Sequence, residues 1–196
     1  MTRILRITPQ DHVVSLWSGG KTRQIYIHPP GAKYADRDFI FRVSSASVEL
    51  EESDFTPLPD YQRFLSILKG KMSLTIQGRE AVALSPYDVV TFDGGEKVQS
   101  QGKCTDFNLM LRKGACTGSL YALHLPENGE ISIPPKGGSL VIYCGKGAIR
   151  LQGRKGFLIC KQEEAAAILD MDEPIQMKAM QSAAFLIAEI TLTDHQ

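Results

Sequence analysis

In 196 residues the sequence holds four cysteines, four histidines and one tryptophan. Cys104, Cys116, Cys144 and Cys160 form no Cys-x-x-Cys pair, which argues against a zinc site or a dithiol redox centre and leaves them as reduced, packed thiols. His12, His28, His124 and His195 are isolated, with no His-x-His beside a carboxylate, so no metal is expected. An excess of one charge is missing too: 22 basic and 22 acidic residues cancel and are spread along the chain, which excludes an electrostatic footprint for nucleic acid. No apolar run approaches a bilayer-spanning length, the most apolar windows being 165–169 and 183–188, and residues 1–6 carry no apolar leader core. A cytoplasmic chain with no membrane partner is the expectation. Gly20-Lys21-Thr22 ends like a phosphate loop, but Ser15 stands where the first glycine belongs and a strand pattern follows, so nucleotide binding by that route is rejected.

What the chain does have is a hydrophobic share of 43%, enough for one large domain or two small ones, cut into short β-rich runs. Residues 12–17 and 22–28 flank Ser18-Gly19-Gly20 as a hairpin or arm, and residues 29–38 read as a loop. Strands are expected over 39–48, 63–68, 72–76, 81–84, 89–92 and 106–111, with an irregular, proline-broken crossing over 49–60. Turns at Gly70-Lys71 and Gln77-Gly78-Arg79 recur at Gly145-Lys146 and Gln152-Gly153-Arg154, both 75 residues on (145 − 70 and 152 − 77), which indicates an internal duplication. Residues 118–135 read as the connection between the copies. Residues 162–169 have helical propensity, yet 165–169 falls where the first copy has a strand, so only a short helical turn is expected there. The fold class is therefore all-β: two similar β-barrels with little helix, residues 1–118 with an N-terminal arm and residues 119–196, packed as one unit.

Period-2 alternation places Arg42 and Ser44 on one face of the 39–48 strand, and Asp106, Asn108 and Met110 on one face of its partner. Charges among apolar neighbours must be paired or used, because an unpaired buried ion costs several kcal/mol. Two readings follow. Either Arg42 and Asp106 form a structural ion pair, with Ser44 and Asn108 completing it, or Arg42, Ser44, Arg63, Asp106 and Asn108 line a ligand pocket in which the planar Arg fork recognises a carboxylate or phosphate. Trp17 and Phe41 read as core aromatics and Asp88 as a turn residue.

Trp17 to Thr22, Phe41 to Ala46, Phe55 to Pro59, Arg63, Gly70 and Asp106 to Met110 together resemble the HutD/Ves family of small bicupins, over nearly the whole chain. The family has Trp-Arg where this chain has Phe41-Arg42, Phe-Ser where it has Phe55-Thr56, and Gly-x-Asp where it has Asp60-Tyr61-Gln62. The resemblance implies a bicupin fold of jelly-roll type and a regulatory or small-molecule-binding role, linked in some bacteria to histidine utilisation or stress. Many cupins are metalloenzymes, but the scattered histidines imply a metal-independent member without a cofactor.

The function expected is binding of a small anionic metabolite, such as a carboxylate from amino-acid or histidine breakdown. The alternatives are a cofactor-free isomerase or lyase using Asp106 as base and Arg42 to stabilise negative charge, and a scaffold for protein interaction. The expected partner is the metabolite, not nucleic acid or membrane; a homodimer is allowed.

Overall fold

The computed structural model describes residues 1–135 and 137–193. His195 lies outside the described residues. The strands run in order β1 (Arg3–Ile7), β2 (Val13–Trp17), β3 (Gly20–His28), β4 (Phe41–Val48), β5 (Glu52–Asp54), β6 (Tyr61–Gly70), β7 (Met72–Ile76), β8 (Val82–Leu84), β9 (Val89–Asp93), β10 (Val98–Gln101), β11 (Cys104–Arg112) and β12 (Cys116–Leu125). The second half continues with β13 (Glu130–Ile133), β14 (Ser139–Lys146), β15 (Ala148–Gly153), β16 (Gly156–Lys161), β17 (Ala165–Leu169), β18 (Ile175–Ala179) and β19 (Ala183–Leu192). Two short 3-10 turns, Pro9–Asp11 and Tyr34–Asp36, are the helical elements among the described residues.

The described residues divide into two compact units, residues 13–117 with Thr193, and residues 118–192 with residues 1–12. Residues 1–12, expected with the first half, group with the second unit instead. β1 pairs antiparallel with β17, Arg3 opposite Leu169 through Ile7 opposite Ala165, and Arg6 donates to Glu164 at 2.6 Å. What belongs with the first unit is the β2–β3 hairpin, where Val13 faces Gln24 and Trp17 faces Gly20.

Each unit consists of two sheets over buried apolar side chains, which form one cluster in the second unit and two in the first. The first has a six-stranded sheet in the order β2-β3-β4-β11-β6-β9 and a four-stranded sheet β5-β10-β7-β8; the second has β1-β17-β14-β19-β12 and β13-β18-β15-β16. Removing the hairpin from one and β1 from the other leaves the same eight-strand order, so the duplication is real. The expected all-β, duplicated jelly-roll architecture holds, but among the described residues the strands close no barrel: each unit is a sandwich with open sheet edges. The register of the repeat also shifts. Gly70 (φ +85°) and Gly147 (φ +81°) are the matching turn glycines, each set against the residue that leads into β11 or β19: a Cβ would lie 2.6 Å from the Lys103 carbonyl oxygen in one case and 2.5 Å from that of Ser182 in the other. The matched turn is therefore 77 residues on, and Gly145 sits in a bulge.

The supposed connection over 118–135 contains most of β12 and all of β13, and the 49–60 crossing contains β5. The alanine run of β17 is a fully buried strand, where tertiary packing overrides the helical propensity of Ala. Core side chains come from both sheets: Leu65, Ile67, Leu74, Ile76, Phe92 and Val98 in the first unit, Ile142, Ile149, Leu151, Ile168, Phe185 and Ile187 in the second. All four cysteines are free and buried, and burial pushes their thiols up, Cys116 to about 11 and Cys104 and Cys144 to about 12.

Candidate functional site

The first unit holds a cavity of about 290 Å³, open to solvent on one side and lined from β2, β3, β4, β6, β11, Tyr34 and the segment 53–56. Arg42, Ser44, Ala46 and Val48 reach it from β4, Asp106, Asn108 and Met110 from β11, and Arg63 from β6, as strand alternation requires. The pairing fixes their neighbours: Asn108 stands opposite Ser44 on one side and Leu65 on the other, and Met110 opposite Arg42 and Arg63. All five residues named from the sequence line one cavity.

Their contacts differ from a simple ion pair. Arg42, 4% exposed, donates through Nε to Gln24 Oε1 at 2.8 Å and through Nη1 to Ser44 Oγ at 3.1 Å, with its guanidinium 4.4 Å from the centre of the Tyr34 ring. Arg63, 5% exposed, donates through Nη2 to Asn108 Oδ1 at 2.9 Å and stacks near Phe55 at 4.9 Å and Phe92 at 5.2 Å. Its Nε–H is buried without a partner. Asp106 Oδ1 accepts the Ala46 N–H at 2.9 Å, and its backbone carbonyl accepts the Ser45 hydroxyl. No ion pair joins Asp106 to either arginine among the described residues, so the structural reading of Arg42 as the direct partner of Asp106 is corrected. Arg63 is no solvated strand-end cation; it is a buried one.

Burial dominates the electrostatics. Desolvation lowers both guanidiniums to about 10, opposed by Tyr34 and Asp106, so both stay charged at neutral pH. Desolvation raises the Asp106 carboxyl to about 6, against the Ala46 N–H, Arg63, Asn108 and Arg42, which all favour its ionised form. Near neutrality the buried part of the site carries two cations and one carboxylate; Asp54 lines it too, but is exposed to solvent screening.

Several lining residues escaped the sequence reading. Tyr34 lies in the segment that reads as a plain loop, and Thr22 in a strand whose alternation, Thr22 then Gln24, is the available signal; Gln24 does not line the cavity but holds Arg42 from behind it. Trp17 is not core: it lines the cavity and is 38% exposed. Phe41 is 1% exposed and stacks on Tyr26 and His28 instead. Asp88 is a turn residue, its carboxylate accepting the Ser85 N–H at 2.8 Å.

Among solved structures, the chain is similar to a conserved protein of Pseudomonas aeruginosa PAO1 (TM-score 0.84, 20% identity, covering 96% of this chain and 98% of that one). It is similar to HutD from Pseudomonas fluorescens SBW25, solved in a formate condition (TM-score 0.78, 20% identity, covering 98% and 100%). The Escherichia coli pirin YhhW, in complex with nickel(II), is a third (TM-score 0.74, 9% identity, covering 95% and 98%). At these identities the likeness shows the fold, which is of cupin type. A cation such as nickel does not fit the donor set here: two guanidiniums face the cavity, and its one buried carboxylate is bonded to the Ala46 N–H. Among the described residues no group of three or more His, Cys, Asp or Glu is placed to hold a metal. No curated protein sequence matches the chain. The HutD family profile matches residues 9–187, from before β2 into β19, and the chain belongs to the HutD family.

Proposed function

We propose that the cavity binds a small anionic metabolite of the carboxylate class, in a regulatory or stress-related role, and that the protein works as a binding module. The observation that carries this reading is the buried, unpartnered Nε–H of Arg63 beside a second buried guanidinium. An unsatisfied buried donor costs about 1–3 kcal/mol, and more when charged, so a site that keeps one has a use for it. A carboxylate offers two oxygens to an arginine fork, while Ser44, Asn108 and Gln24 fix the orientation of the cations around it. The 290 Å³ volume suits a molecule of metabolite size. The chain's membership of the HutD family and the link of that family to histidine utilisation support a carboxylate from amino-acid breakdown.

Calorimetric titration with formate, acetate and glutarate, with chloride as control, tests the proposal. Carboxylate binding should be lost in Arg63→Met and Arg42→Met while both variants melt close to the wild type, and it should strengthen as pH falls through about 6 and Asp106 loses its charge. No binding by any carboxylate would overturn it. So would a melting loss well over about 10 degrees in Arg42→Met that Asp106→Leu rescues, because Arg42 would then be structural.

A further inference from the structure

β2 forms one edge of the six-stranded sheet, with β3 as its neighbour among the described residues. Exposed edges are normally blunted by charge, proline, bulges or shortness. In the same unit β5 and β8 have three residues each, and β5 carries Glu52 and Asp54. β2 has none of these protections. Its five residues, Val13-Val14-Ser15-Leu16-Trp17, are all exposed, Leu16 at 81%, Val13 at 63% and Val14 at 54%, and none is charged.

We infer that this edge pairs with β2 of a second copy of the chain, antiparallel about a twofold axis through Ser15. The sequence is a palindrome of apolar character around that residue. Under this symmetry Val13 meets Trp17 of the other copy on one face, Val14 meets Leu16 on the opposite face, and each contact occurs twice, as an isologous interface demands. No like charges are brought together, and the outward N–H and C=O groups, which fall on alternate residues, find partners at the same stroke. A different protein could add a strand here, but nothing in β2 except its own palindrome specifies a complement. Ser15 and Trp17 also line the cavity, so they lie on the cavity-side face of β2, and Val14 and Leu16 on the other. The pairing joins the two sheets into one of twelve strands. With five residues a side it is far smaller than the roughly 20–30 of a stable complex, so association belongs in the micromolar range.

Sedimentation velocity from about 1 to 500 µM tests this, read alongside emission of the chain's lone tryptophan, Trp17. A monomer–dimer equilibrium should appear, with the emission shifting to the blue along the same curve. Leu16→Lys and Val14→Glu should each weaken association at least about tenfold without changing the melting temperature or formate binding, since both positions are exposed and turned from the cavity. The double variant V14E/L16K sets an ammonium against a carboxylate across the axis and should recover association to within about threefold of wild type. A wild type that stays monomeric throughout would overturn the inference, as would single variants that associate normally, or a folded double variant that does not recover.

Discussion

In the unit of residues 13–117 the inner face of the larger sheet carries Arg63, Asp106 and Asn108; at the matching positions of the other unit stand Leu140, Phe185 and Ile187. The match rests on a shared bulge. Asp106 faces Ile67 just after the register slips, as Phe185 faces Cys144, and two residues on Asn108 faces Leu65 as Ile187 faces Ile142. One copy fills this space with side chains and builds a continuous apolar core; the other leaves 290 Å³ and lines it with cations. On that face in the apolar copy the carboxylate of Glu189 accepts a bond from the Tyr121 hydroxyl at 2.6 Å, whereas the cavity keeps an orphaned donor. A duplicated fold thus separates two demands: one half holds a close-packed core, and the other tolerates desolvated charge.

The sharpest way to break this comparison is to give the apolar copy the residue of the other. Phe185→Asp buries a carboxylate in an apolar cluster, leaves a cavity and should cost about 4 kcal/mol, a melting loss of roughly 8–16 degrees; a loss under about 2 degrees would show that the units are not opposites. Next comes pH. The Asp106 carboxyl is raised in the folded state, so between about 6 and the ordinary carboxylate value the folded protein takes up the proton first. Its contribution is thus favourable at low pH and lost as pH rises through about 6. Wild type should gain on Asp106→Asn by up to about 3 kcal/mol between about pH 7.5 and 4 in chemical denaturation, and a flat difference would contradict the buried carboxylate. Third, Arg63→Leu with Asp106→Leu makes the polar copy resemble its twin. It should abolish formate binding and raise stability by about 2 kcal/mol, because apolar replacement of buried ions is often stabilising; a large loss would mean that the charges hold the fold. The smallest effect is a parity: Gly70→Ala and Gly147→Ala share a positive φ and a backbone clash, and their costs should agree within about 0.5 kcal/mol.

The polar set was legible because charge on the core face of a strand breaks alternation visibly, and Arg42, Ser44, Asp106 and Asn108 each did so. Arg63 was harder to place, since a strand-end arginine looks the same whether its fork enters water or a cavity. The aromatic walls were unreadable. Tyr34 comes from a short 3-10 turn and Phe55 from an irregular segment, and nothing local says that either will lie under a guanidinium. The duplication showed itself through its turn signals, but those fixed the alignment on Gly145, when the residue that needs a left-handed conformation is Gly147. Strands β5, β10, β13 and β18 were missed because they are short and rich in Glu, Gln, Ser and Lys, residues that read as loop. That β1 joins the second unit depends on a pairing across more than 150 residues, which no local pattern carries.

The cysteines fall two to each unit, Cys104 and Cys116 in one, Cys144 and Cys160 in the other, all buried and with thiols pushed up by desolvation. A thiolate-seeking alkylating reagent will therefore reach a sulfur only when its surroundings open, and mass spectrometry of the labelled peptides times that opening residue by residue. If the two pairs label at one common rate, the halves unfold as a single body. If Cys104 and Cys116 label first, the half carrying buried charge opens on its own, and the protein carries its own clock for telling the two apart.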